Sequence, residues 1–135
     1  MNSIHDMMAL AKKTILHSYS PYSHFPVACV VKTQSGQLFC GVNMENAAYP
    51  EGVCAEGTAL GAMVTAGERV LVEVLVLASK NFNCFPCGGC RQRLSEFSSA
   101  QTLVHIANEA QGHLETKTMG ELFPHCFTVD NLKEK

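Results

Sequence analysis

No uninterrupted apolar run in the chain approaches the roughly 18 residues that a membrane-crossing helix needs, so no bilayer span is expected. Basic charge is not in excess either. Ten Lys and Arg stand against 12 Asp and Glu, giving a formal charge of −2 and a pI near 6.3. Proteins that grip phosphates normally carry a basic face, so a nucleic-acid partner is not expected. The opening segment, MNSIHDMMALAKK, breaks its apolar residues with charge and lacks the continuous apolar core of a signal peptide. A cytoplasmic location is the matching expectation. Internal repeats, low-complexity tracts and linker-like stretches are also missing, which leaves residues 1–135 as one domain.

What is present is enough for a packed core. Apolar residues make up 47% of the 135 and charged residues 16%, a balance foreign to disordered chains. Seven cysteines stand out: Cys29, Cys40, Cys54, Cys84, Cys87, Cys90 and Cys126. An odd number without a secretion signal argues against a complete disulfide framework. In a reducing compartment, clustered cysteines more often bind metal, and isolated ones act as small buried hydrophobes. Cys87 and Cys90 form a CxxC pair, and Cys54 stands two residues before Glu56. The six histidines lack ligand-like spacing to the CxxC pair and read mostly as surface residues.

Periodicity predicts the elements. Met7, Met8, Ala11 and Ile15 recur at three- and four-residue steps, a helix from about Ile4 to His17 with one apolar face. The prolines of SPYSHFP end it. VACVVKT and QLFCGVNM flank QSG as a hairpin with a glycine turn. A helix from about Cys54 to Ala66 follows, stopped by Gly67. VEVLVLAS (72–79) suits a strand covered on both faces. PCGGCRQRLSEF reads as a loop entering a helix, TLVHIAN as a strand, and HLETKT as an added edge strand. TMGELFPHCF gives a short helical turn and an aromatic tail. The alternation of helices with the later strands requires crossover connections, and predicts a three-layer α/β/α sandwich around a mixed β-sheet.

Cys87 and Cys90, at i and i+3 where a helix begins, share one face, so both sulfurs can reach one ion. A helix N-terminus offers free N–H groups and partial positive charge, which favour thiolate over thiol. Cys54 has the same setting on the other helix. Two helices beginning side by side would bring three thiolates to one zinc and leave its fourth position for water. A structural site needs a fourth ligand, for which Cys84 is the local candidate. Glu56 favours the catalytic alternative, because a carboxylate two residues beyond a ligand can exchange protons with that water.

Cys54-Ala55-Glu56, followed 29 residues later (57–85) by Pro86-Cys87-Gly88-Gly89-Cys90, resembles the zinc-dependent nucleoside deaminases, in particular the small homotetrameric three-cysteine cytidine deaminases. The likeness spans nearly the whole chain: PYSHFPV, NMENAAYPEGVCAE, PCGGCRQRLSEF and ELFPHCF come in the family's order. It implies that Cys54, Cys87 and Cys90 hold zinc, and that Glu56 activates the water, protonates N3 of cytosine and passes a proton to the departing amine. Asn43 and Glu45 would bind the ribose hydroxyls and Phe25 would lie against the pyrimidine. Ala55 and Glu56 would offer backbone groups to the base, and Phe127 would reach into a neighbouring subunit of a homotetramer. The implied substrates are cytidine and deoxycytidine, within pyrimidine salvage.

Two positions depart from the family pattern. The three-cysteine members usually have arginine directly after the glutamate, where this chain has Gly57. Three thiolates on a dication leave a net charge of −1, and a donating arginine would draw off part of it. With Gly57, the remaining sources of positive potential are the two helix termini and Arg91 or Arg93, of which Arg91, next to a ligand, is the better placed from sequence. A bound water harder to ionise than in relatives is the corresponding expectation. Ala28 stands where relatives often have glycine, and could crowd the strand near Phe25. The alternatives left open are a deaminase of another aminated nucleoside, such as a blasticidin-like antibiotic, and a zinc-binding homologue impaired by Gly57.

Overall fold

The computed structural model describes residues 3–81 and 83–133. Among these, five strands form one sheet in the order β2-β1-β3-β4-β5, made of β1 (Val27–Thr33), β2 (Leu38–Val42), β3 (Leu71–Ala78), β4 (Leu103–Asn108) and β5 (Gly112–Thr118). β3 and β4 run parallel, and the other neighbours are antiparallel. The sheet is mixed, as expected, and HLETKT does form its edge strand.

Helix α1 (Ile4–Thr14) starts from a reciprocal cap: the Asp6 amide donates to the Ser3 hydroxyl, and the Ser3 amide donates to the Asp6 carboxylate. A single turn of tighter helix, Ile15–His17, completes the expected span. Met7, Ala11 and Ile15 are buried against Ala28, Val30, Leu75, Leu77 and Ala107 on one face of the sheet. The alternate residues of the same strands, Cys29, Val31, Val74, Val76, Val104 and Ile106, point to the other face. There they meet α2 (Ala55–Thr65) and α3 (Gly88–Ser95). One helix below and two above give the α/β/α layering. Ala28 belongs to the α1 side, where its methyl packs in the core beneath the sheet.

Glycines make three of these junctions possible. Gly36 closes the β1–β2 turn at φ +87°, and Gly67 ends α2 at φ +94°, both in the left-handed region. Gly41 lets α2 lie directly on β2, since a Cβ there would stand 2.4 Å from the Ala59 amide nitrogen. That close approach fixes the height of α2 above the sheet, and with it the position of its first turn.

One histidine differs from the surface expectation. His105 is buried on the α1 side, its Nε2 2.7 Å from the Glu73 carboxylate and its Nδ1 2.8 Å from the Thr116 hydroxyl. Glu73 also pairs with Lys32. This cross-strand polar ladder continues the sheet face where α1 no longer covers it.

Candidate active site

Cys54 and Cys87 occupy the same structural position, each the residue capping the N-terminus of its helix in extended conformation. Neither thiol is spent on capping, so both sulfurs are free to face each other. Cys90, one turn into α3, is fully buried between them. The three sulfurs lie within 4.8 Å of one another. A tetrahedral zinc with Zn–S of about 2.3 Å would separate its sulfurs by roughly 3.8 Å, so the trio fits such an ion with small adjustments. Among the described residues this ligand group contains neither Cys84 nor the Glu56 carboxylate. Three soft donors and no fourth protein ligand match a catalytic rather than a structural zinc site.

Of the three thiols, Cys54 is held most readily as thiolate. Thiol donation from Cys90 and Cys87, together with the Arg93 charge, outweighs burial and draws the Cys54 pKa down to about 6. Cys90, as the donor, is pushed well up by that bond and by burial. Thiolate character therefore settles first on Cys54, at the head of α2 where the free amides favour negative charge.

Glu56 is the next functional group. It lies in the first turn of α2 and is only 5% exposed. Burial, reinforced by the Cys54 charge, raises its pKa to about 7 against the pull of Arg93 and Cys90. A carboxyl poised near neutrality can both take and return a proton.

Both groups open on a cavity of about 330 Å³, whose wall also includes Phe25, Asn43, Ala55 and Cys87. Ser23 joins it to a neighbouring cavity of about 370 Å³ that contains Glu45, Tyr22 and Tyr49. The chain places Phe25, Asn43, Ala55 and Glu56 together, with Glu45 next door. Asn43 is largely engaged: its Nδ2 donates to the Phe25 carbonyl at 2.8 Å, and its Oδ1 accepts from the Val27 amide at 2.9 Å. The Glu45 carboxylate accepts from the Tyr22 and Ser23 amides and from the Ser23 hydroxyl. These bonds fold segment 18–27 over the cavity. His24, at φ +54°, turns the chain there. Phe127 is not brought to this cavity within one chain. It is 55% exposed on the C-terminal tail, where its carbonyl accepts from the Gln92 side chain.

The arginines reverse the order expected from sequence. Arg91 donates from Nε to the Pro86 carbonyl at 2.8 Å and from Nη1 to the Leu122 carbonyl at 2.6 Å. It thus braces the loop before Cys87 against α4 (Met119–Leu122). Arg93 is the arginine near the sulfurs, with Nη1 3.9 Å from the Cys90 Sγ. Its signal in the sequence was its spacing, three residues after Cys90. Cys84 and Phe85 also line the cavity; both directly precede the CxxC loop, a position that hinted at this role.

The family profile "Cytidine and deoxycytidylate deaminase zinc-binding region" matches residues 1–106. A cytidine deaminase of Halalkalibacterium halodurans is 37% identical over 117 residues, covering 87% of this chain and 88% of the relative. One of Sporosarcina psychrophila is 34% identical, covering 96% and 94%. The crystal structure of a cytidine deaminase from Burkholderia pseudomallei superposes with a TM-score of 0.86 at 32% identity, covering 93% of this chain and 99% of that one. With its ordered thiol trio and buried glutamate, the chain belongs to the cytidine and deoxycytidylate deaminase family.

Proposed function

We propose that this protein catalyses the hydrolytic deamination of cytidine and deoxycytidine to the uridine counterparts and ammonia. The observation that carries the reading is the buried Glu56 carboxyl, its pKa near 7, two residues from the first of three convergent thiols on one cavity. Cys54, Cys87 and Cys90 are the zinc ligands. Bound zinc supplies the Lewis acidity that makes water nucleophilic near neutral pH. Glu56 accepts the proton of the water attacking C4 and delivers it to N3. It then removes the proton from the new C4 hydroxyl and gives it to the amino group, which leaves as ammonia while C4 becomes a carbonyl. The carboxylate ends as it began, which a pKa close to the working pH favours.

The remaining residues bind and orient. Phe25 offers its ring to the pyrimidine, and Ala55 backbone groups to the base edge. Asn43 keeps one Nδ2 hydrogen beyond its bond to Phe25, and Glu45 keeps acceptor capacity beyond its bonds to segment 18–27, which suits a pair of sugar hydroxyls. Arg91 holds the CxxC loop in place.

The protein acts as one cytoplasmic domain in pyrimidine salvage and assembles as a homotetramer, with Phe127 entering a neighbour's cavity. Tyr49 at 75% exposed and Phe127 at 55% are aromatic side chains that an assembly would cover. No helix among the described residues is long and apolar enough to cross a membrane, and the formal charge of −2 carries no excess of basic charge to favour nucleic acid. Ammonia release from a panel of cytidine, deoxycytidine, deoxycytidylate and blasticidin S tests the reading. The two nucleosides are expected to react best. Release from the antibiotic alone would overturn it. Light scattering tests the tetramer, and a monomer at micromolar concentration would contradict it.

A further inference from the structure

We propose that Arg93, reaching from α3 through the gap left by Gly57, is the cation that offsets the negative charge of the three-thiolate zinc site. The inference rests on the zinc reading above.

Whatever protons the metal-free thiols still hold, binding a dication leaves three thiolates around it and a site of net charge −1. A nearby cation favours that product over the metal-free thiols. Family resemblance led to the expectation of an arginine at position 57, where there is no side chain at all. Arg93 instead comes from the helix that carries Cys90, one turn further on and on the same face. Its Nη1 lies 3.9 Å from the Cys90 sulfur.

Two glycines flank its path. A Cβ on Gly57 would stand 3.8 Å from the Arg93 Cδ and 4.0 Å from its Nε. A Cβ on Gly89 would stand 3.2 Å from Nη1. Any longer side chain at 57 would therefore compete with Arg93 for the same corridor between α2 and α3. Arg91 cannot substitute, because its guanidinium is committed to two backbone carbonyls. The position of Arg93 on an exposed face leaves it partly screened by water, so its effect is moderate.

The test is a double-mutant cycle read by zinc affinity in chelator competition, with the thiolate-to-cobalt charge-transfer band of cobalt-loaded protein as a second readout. Arg93→Ala is expected to weaken zinc binding about tenfold and to shift that band, while the melting temperature of metal-free protein stays put. Arg93→Lys should recover part of the affinity. Gly57→Arg combined with Arg93→Ala should restore affinity to within about threefold of wild type, whereas Gly57→Arg alone should bring no gain. Unchanged affinity in Arg93→Ala, or a double variant no better than Arg93→Ala, would overturn the proposal. A full Arg93 dependence of zinc affinity in a protein that leaves cytidine untouched would sustain it and overturn the functional reading instead.

Discussion

The side-chain amide of Asn43 joins β2 to the segment over the active site: its Nδ2 donates to the Phe25 carbonyl at 2.8 Å, and its Oδ1 accepts from the Val27 amide at 2.9 Å and the Ser18 hydroxyl at 2.5 Å. Asn43→Ala removes all three bonds and should lower stability by about 2 to 3 kcal/mol. It should also raise the KM for cytidine, because Phe25 loses its anchor. Thermal melts and steady-state kinetics on the same variant check both effects; a normal KM in a destabilised protein would show that the clamp serves the fold alone.

Gly41 carries a purely structural demand. An added methyl would meet the Ala59 amide nitrogen at 2.4 Å and Thr58 at 2.7 Å, and much of that obstacle is helix backbone that cannot swing aside. Gly41→Ala should cost about 3 kcal/mol and displace the first turn of α2, so zinc content should fall with stability. A denaturant midpoint equal to that of wild type would refute the close approach.

Burial of Glu56 has a pH signature in metal-free protein. Its folded pKa, about 7, lies above the ordinary 4.5, so the folded state binds more protons than the unfolded one between those values. The stability contribution of the protonated group is complete below about pH 4.5 and is lost as pH rises through 7. Glu56→Gln abolishes this loss. Relative to wild type it should gain stability between pH 5 and pH 8, by at most about 3 kcal/mol. Urea melts of both metal-free proteins across that range measure the difference, and a pH-independent gap would contradict the raised pKa.

Cys84 separates two kinds of zinc site. It lines the cavity but stands outside the ligand trio, so Cys84→Ala should keep one zinc per chain. Cys87→Ser should lose at least tenfold in zinc affinity. Metal analysis of the two purified variants decides the matter, and zinc lost from Cys84→Ala would indicate a four-ligand structural site.

Much of this was legible in the chain. Helical spacing of Met7, Ala11 and Ile15, the nearly continuous apolar run of β3 and the glycine stops located every layer, because burial of one face writes a period into sequence. The thiol trio and Glu56 were legible because i, i+3 spacing and helix starts constrain where side chains meet. Arg91 and Arg93 were assigned in the wrong order, since adjacency in sequence points neighbouring helical side chains about 100° apart, and only the packing of α2 on α3 shows which one reaches the sulfurs. The burial of His105 was equally hidden, as it depends on cross-strand partners, Glu73 and Thr116, that no local pattern names.

The proposed mechanism requires Glu56 to exchange protons beside an ion that it does not hold. Zinc content and cytidine turnover, measured on the same preparations of wild type and Glu56→Gln, test this most directly. One zinc per chain in both proteins, with kcat lower by about 10³-fold or more in the variant, is the predicted result. Turnover within tenfold of wild type in zinc-loaded Glu56→Gln would contradict it.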